Sequence, residues 1–438
     1  MTQPTLPKTA TFPSGAFQYR GGALHVEDVP LARIAASVGT PAYVYSTAEL
    51  AANWHAYADA FADAPVDICY ALKANSNLAV IRTLAGFGAG ADVVSSGELE
   101  RAMAAGIPAS RCVFSGVGKS WSEMAFALKA GIHQINVESF PELEMLSAVA
   151  QELGVTAPIA IRVNPDVDAE THGKIATGRK EDKFGIDWAH AREAFARAKS
   201  LPGLNPVGVA VHIGSQLIKT SPFESAYRKL AGLVVQLRED GIDIRRIDVG
   251  GGLGVPYRPN DHLADHKAYA AVVRQTLGHL DCHITLEPGR SLVATAGLLL
   301  STVNFVKEGL HRRFLVLDAA MNDLIRPSLY EAWHTILTVK EPDAGAGQVS
   351  MDVVGPVCES GDTFAKERQM PPVAAGDLVA LMTAGAYGAV MASTYNSRPL
   401  VPEVLVQGSD WSVVRHRQGM AELLAMEAMP PWLDPSAG

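Results

Sequence analysis

No stretch of about 18 apolar residues occurs in the chain, which excludes an ordinary membrane-spanning helix. The opening MTQPTLPKTATFPSG lacks the apolar core of a secretion signal, so a cytoplasmic protein is expected, with only these first residues loose. Clusters of positive charge are also missing: 37 Lys and Arg stand against 46 Asp and Glu, and the net charge of -9 excludes a nucleic-acid surface. Cysteine is scarce. Cys69, Cys112, Cys282 and Cys358 are far apart, without the paired spacing of a zinc site or the density of a disulfide scaffold, so reduced thiols and no metal are expected. Low-complexity tracts are absent, and 48% apolar with 19% charged residues is the composition of a globular protein handling a small molecule.

What the sequence has is a rhythm. At 438 residues it is too long for one ordinary core. From about residue 66 it repeats a short apolar run followed by a helix whose start can be read directly. Ser95 with Glu98, Ser120 with Glu123 and Ser139 with Glu142 are Ser-x-x-Glu capping boxes, and Gly106, Gly131 and Gly154 supply the matching stops. Eight apolar runs succeed one another at 68–72, 91–94, 112–115, 134–137, 158–163, 207–212, 245–249 and 283–287. Eight strands alternating with helices predict an α/β fold, a (β/α)8 TIM-like barrel, in preference to the open doubly wound sheet that the same alternation allows. After about residue 300, RFLVLDA, SMDVVGP, GDLVALMTAGAYG and EVLVQG come in turn without helical patterning, which predicts a mainly β domain. The expected division is a barrel over 45–300 and a discontinuous β domain over 1–44 and 301–438, with the segment before the barrel, including PAYVYS at 41–46, adding strands to the β domain.

Barrels place their chemistry where strands end at the C-terminal rim. Here the first run ends in Lys73, the sixth in His212, the seventh in Gly250-Gly251-Gly252 and the eighth in Glu287. Each has a bland reading alone: a solvated lysine, a packed histidine, a glycine turn, an exposed ion pair of Glu287 with Arg290. Together they describe a site for pyridoxal phosphate. A partly desolvated lysine with a lowered pKa can hold an aldehyde as a Schiff base. Glycine amides after the seventh strand can cradle a phosphate, and a dinucleotide fingerprint is excluded because Val255 stands where its last glycine belongs. A carboxylate against a pyridine nitrogen keeps that nitrogen protonated and makes the ring an electron sink, and a histidine can lie flat against it.

These residues, in this order, resemble the fold-type III pyridoxal-phosphate decarboxylases, most closely the branch acting on meso-diaminopimelate. The resemblance runs through YALKAN at 70–75, HIGSQ at 212–216, IDVGGGLG at 247–254, EPGRSLV at 287–293, MNDLIRPSLY at 321–330, CESGD at 358–362 and GAYG at 385–388. It implies an alanine-racemase-like barrel with Lys73 as the Schiff-base lysine, His212 stacked on the ring, and Gly251 and Gly252 on the phosphate with Ser215 nearby. Glu287 then holds the ring nitrogen, and Tyr387 closes the cofactor site and adjoins the substrate. Arg290, Arg326 and Tyr330 bind an amino-acid substrate, while Cys358 and Glu359 come from the partner in a homodimer with shared active sites. Cys358 and Lys73 are the candidates for returning a proton to the α-carbon. The sequence departs from the pattern at Ala320, where glycine is expected.

The unreacting end of meso-diaminopimelate is a zwitterion. Arg290 and Arg326 can pair bidentately with a carboxylate and Glu359 with an ammonium, whereas an arginine there would repel the cationic end of ornithine or arginine, which makes Arg326 the expected specificity residue. A racemase on the same fold would place arginine against the ring nitrogen, which Glu287 argues against. A non-catalytic regulator would be expected to lack the β domain, Lys73 or Cys358.

Overall fold

The computed structural model describes residues 15–167 and 183–433. Among them, eight parallel strands close into a barrel: β1 (Val66–Ala71), β2 (Gly90–Val93), β3 (Cys112–Phe114), β4 (Gln134–Val137), β5 (Ala157–Asn164), β6 (Leu204–Ala210), β7 (Arg246–Asp248) and β8 (His283–Leu286). Each pairs with the next in the chain, and closure comes from β8 against β1, with Ile284 opposite Val66 and Leu286 opposite Ile68. Strands covered on both faces read as nearly continuous apolar runs, and β2, β3 and β4 are buried at every residue. Polar exceptions, among them Asp92, Gln134, Asn136, Arg162 and Asp248, lie within strands and are buried as well.

Helices connect the strands, and their starts show how far local chemistry carries. Ser120 makes the full reciprocal box, its Oγ accepting from the Glu123 N–H while Glu123 accepts from the Ser120 N–H. Ser95 and Ser139 also accept from the third helical N–H. Their glutamates, however, accept from the residue before the cap, Glu98 from Val94 N–H and Glu142 from Glu138 N–H, each at 2.8 Å. The backbone accounts for this difference: Ser95 and Ser139 are fully extended at φ -155° and -157°, against -82° at Ser120, which brings the preceding amide to the carboxylate. Gly106, Gly131 and Gly154 all take positive φ at the helix ends.

The described residues divide into two compact units, one of 47–167, 183–296 and 385–390 containing the barrel, the other of 15–46, 297–384 and 391–433. Residues 385–390 therefore group with the barrel, whereas the sequence pattern assigns them to the β domain. In the second unit, Ala42–Ser46 lies between Gly297–Glu308 and Glu403–Gln407 in a mainly antiparallel sheet. Its core includes Phe17, Leu24, Val44, Leu298, Leu300 and Val404, all at most 1% exposed. Ala320 is not among the residues of positive φ, so alanine in place of glycine brings no left-handed strain there.

Candidate active site

The rim of the barrel brings together eight of the residues singled out in the sequence. Lys73 sits on a 3-10 turn, Leu72–Ala74, directly after β1. Its Nζ lies 3.0 Å from Asp92 Oδ2 on the neighbouring β2, a carboxylate with no exposed side-chain surface. Desolvation pulls the lysine pKa down, but Asp92, with Tyr387 and Glu287 behind it, outweighs burial and raises it above the ordinary value. The expectation of a lysine with lowered pKa is thus corrected: the amine is held as an ammonium by a carboxylate that the sequence does not single out.

Glu287 comes directly after β8 and is 9% exposed. Burial, then the charges of Asp248 and Asp92, push its carboxyl well above the usual carboxylate range, with Lys73 opposing them. Its N–H donates to Gly250 O at 2.8 Å, tying the acid to the glycine loop. That loop has no room for side chains. A Cβ on Gly251 would collide with the Glu287 carbonyl, and one on Gly252, at φ +118°, with the Gly214 carbonyl.

His212, two residues beyond β6, accepts at Nδ1 from the Gly251 N–H at 3.2 Å, which leaves the ring proton on Nε2. Burial, with Arg162 and Lys73 nearby, holds its pKa well below the ordinary value, so the imidazole is neutral. Ser215 receives Arg290, whose Nε and Nη2 both donate to its Oγ at 3.2 Å. Arg290 also donates to Tyr257 Oη at 2.7 Å and lies over the Tyr387 ring, 4.8 Å from its centroid. Tyr387 has φ 55° and donates its N–H to Ala74 O at 2.8 Å, next to Lys73 in the chain. Tyr257, Asp92 and Asp248, which is buried beside Glu287, are site residues that sequence reasoning missed. Asp92 carried a signal, a charged residue inside the apolar run ADVV; Tyr257, in an irregular loop, carried none.

The remaining four residues lie in the second unit. Arg326 opens a short helix, Arg326–Tyr330, and is 5% exposed, not a surface arginine. Its Nη1 donates to His334 Nε2 at 2.9 Å, while His334 Nδ1 meets Met382 O at 2.9 Å, which fixes the tautomer that accepts from the arginine. Tyr330 ends this helix half-buried. Ser328 donates to Gly361 O, joining the helix to the CESGD turn. On that turn Cys358 and Glu359 are exposed, while Asp362 is buried and accepts from the Met321 and Val357 N–H groups at 2.7 Å. All four cysteines are free thiols.

The donor set of the rim fits pyridoxal phosphate: an amine for its aldehyde, a buried carboxyl for its ring nitrogen, a neutral flat imidazole and a side-chain-free backbone loop. Asp92 Oδ1, buried without a hydrogen-bond partner, further marks the rim as a place built for a polar guest.

Comparison with known proteins agrees. Residues 47–294 match a family described as pyridoxal-dependent decarboxylase, pyridoxal binding domain. The diaminopimelate decarboxylase of Pseudomonas aeruginosa is 51% identical over 95% of this chain and 99% of its own, and that of Vibrio cholerae 48% identical over the same shares. Among solved structures, diaminopimelate decarboxylase from M. jannaschii superposes with a TM-score of 0.91 at 38% identity over 96% of this chain and 99% of that one. The Helicobacter pylori enzyme complexed with L-lysine gives 0.87 at 44% identity over 90% and 98%. With the lysine, the acid and the glycine loop on the rim of such a barrel, the chain belongs to the diaminopimelate decarboxylase family of pyridoxal-dependent decarboxylases.

Proposed function

We propose that this chain removes carbon dioxide from meso-2,6-diaminopimelate to give L-lysine, the closing step of lysine biosynthesis by that route, and works in the cytosol. The observation that carries the reading is Glu287, a buried acid among other acids at a rim that also holds a lysine and a glycine loop. Bound pyridoxal phosphate supplies an aldehyde that condenses with amines and a protonated ring that accepts the electron pair left when a bond at the α-carbon breaks.

The chain's own residues do the rest. Glu287 holds the ring nitrogen, His212 lies against the ring, and Ser215 with the Gly251 and Gly252 backbone holds the phosphate. Lys73 must lose a proton before its amine can attack, and Asp92 at 3.0 Å is the base within reach. Arg290, Arg326 and Tyr330 bind substrate carboxylate, Glu359 the distal ammonium, and Tyr387 covers the site. A proton returns to the α-carbon from Cys358 or Lys73. The exposure of Cys358 and Glu359 supports a homodimer in which each subunit lends these two residues to its neighbour's site. Among the described residues no helix is long and apolar enough to cross a membrane.

The test is to supply meso-diaminopimelate and measure lysine and carbon dioxide, with no release overturning the reading. Sharing of sites is tested by mixing Lys73→Ala and Cys358→Ala proteins under conditions of subunit exchange. About half the dimers are then mixed, each with one intact site, so roughly a quarter of wild-type activity should return. Activity that stays at the level of the single variants, with exchange verified by mass, places Cys358 outside a shared site.

A further inference from the structure

A carboxyl beside another carboxylate in a dry interior does not lose its proton as a lone group does, because no water screens the second charge. Glu287 has such a neighbour. Asp248, the last residue of β7, is 1% exposed, and its side chain is hydrogen-bonded to that of Glu287. A chain of oriented donors holds it. Gln134 Nε2 donates to Asn136 Oδ1 at 2.9 Å, which turns the Asn136 Nδ2 toward Asp248 Oδ2 at 2.9 Å and Ser115 Oγ at 3.1 Å. The Gly250 N–H donates to Asp248 Oδ1 at 2.9 Å. Apart from Asp248, the hydrogen bond to the Glu287 carboxyl among the described residues is a long one from Ser115 Oγ at 3.3 Å.

This asymmetry decides where a shared proton sits. Two N–H donors favour the ionised form of Asp248, whereas Glu287 has one weak hydroxyl contact, so Glu287 carries the proton and donates it to Asp248. The direction of the Glu287 pKa agrees, being raised first by burial and then by Asp248 and Asp92. The groups that face the pair are Asp92 from β2, Lys73 after β1, Cys69 within β1, and the phenols of Tyr227 and Tyr269 on two helices. Burial pushes the thiol and both phenols up, so these three stay uncharged at neutral pH.

We propose that Asp248 is a positioning residue: it keeps a proton on Glu287 until a ring nitrogen is present to take it, and its charge then holds that proton on the nitrogen. The inference rests on the reading of Glu287 as the partner of the ring nitrogen. In the transfer the Glu287 O–H bond breaks and an N–H bond forms; Glu287 becomes an anion and the nitrogen a cation, so the net charge is unchanged and no proton is drawn from solvent.

The test uses holoprotein carrying nitrogen-15 in the pyridine ring, whose chemical shift reports ring protonation, in wild type, Asp248→Asn, Asn136→Ala and Glu287→Gln. In Asp248→Asn the ring nitrogen should lose its proton at a pH lower by about one unit or more, and Asn136→Ala should move it the same way by less. Calorimetry of cofactor binding to apoprotein, in two buffers of different ionisation enthalpy, gives the second readout. At neutral pH Asp248→Asn should take up more protons than wild type, approaching about one per site. An unchanged shift and proton count in Asp248→Asn, with both altered in Glu287→Gln, overturns the role of Asp248 and leaves Glu287 in place. If Glu287→Gln alters neither, the site assignment fails and the inference with it. Should Asp248→Asn not fold, Asn136→Ala decides by the same two readouts.

Discussion

Two clusters of buried charge share the rim of the barrel, and they are balanced differently. Over β4 and β5, Glu138 accepts from Arg162 Nη1 at 3.1 Å and from the N–H groups of Gly116 and Gly185, and Glu142 meets Lys119 Nζ at 2.7 Å. Lys119 also donates to Asn136 O at 2.8 Å, and its side chain is 1% exposed. Two acids face two bases, and the cluster is complete in itself. Around β1, β2, β7 and β8, by contrast, three acids, Asp92, Asp248 and Glu287, gather near Lys73. An excess of buried negative charge is costly unless a cation relieves it. In the proposed function the ring nitrogen and the substrate amine accordingly take the unbalanced half, and the balanced half is left as scaffold. Charge balance, not burial, separates the two.

The largest effect is expected from Lys73→Ala, which removes the cation of the unbalanced half: lysine release should fall by about 10³-fold or more. Borohydride should leave the pyridoxyl label on the Lys73 peptide in wild type and none there in the variant. A label mapping to Lys119 in wild type would reverse the assignment of the two halves.

Breaking the balanced half should cost stability. Lys119→Met strands the buried Glu142 and should destabilise the fold by about 3–5 kcal/mol, read from urea unfolding, while adding Glu142→Leu should recover most of it. A single variant as stable as wild type would show that this pair holds nothing together.

The smallest effect concerns His212, which lies between the halves and feels Arg162 from one and Lys73 from the other. Burial and these cations keep it neutral when folded, whereas the unfolded chain takes up a proton below about pH 6.5. The unfolded state then binds more protons, so stability falls with pH below that value by about 1.4 kcal/mol per unit for this group. His212→Gln should flatten that acid slope, measured as urea midpoints against pH. An unchanged slope would mean that His212 titrates alike folded and unfolded.

Much of this architecture was legible because its causes are local. The Ser120 box needs only residues three apart, the glycine stops need only a positive φ, and eight apolar runs announce strands covered on both faces. Lys73 and Glu287 could be found from their places just past the ends of strands. Arg326 was picked out as a residue but not as a buried one, since the His334 and Met382 contacts that fix it come from 8 and 48 residues beyond those they join.

The sequence alone determined the order of elements and the identity of the groups on the rim, since side-chain chemistry and helix capping act over a few residues. Only the tertiary structure decided their states. Lys73 is an ammonium because Asp92 arrives beside it from the next strand, and Glu287 holds a proton because β7 places Asp248 against it, with Asn136 of β4 and the Gly250 N–H fixing that acid in turn. Protonation depends on the sum of charges in a space that water does not screen, and that sum exists only once the barrel has closed.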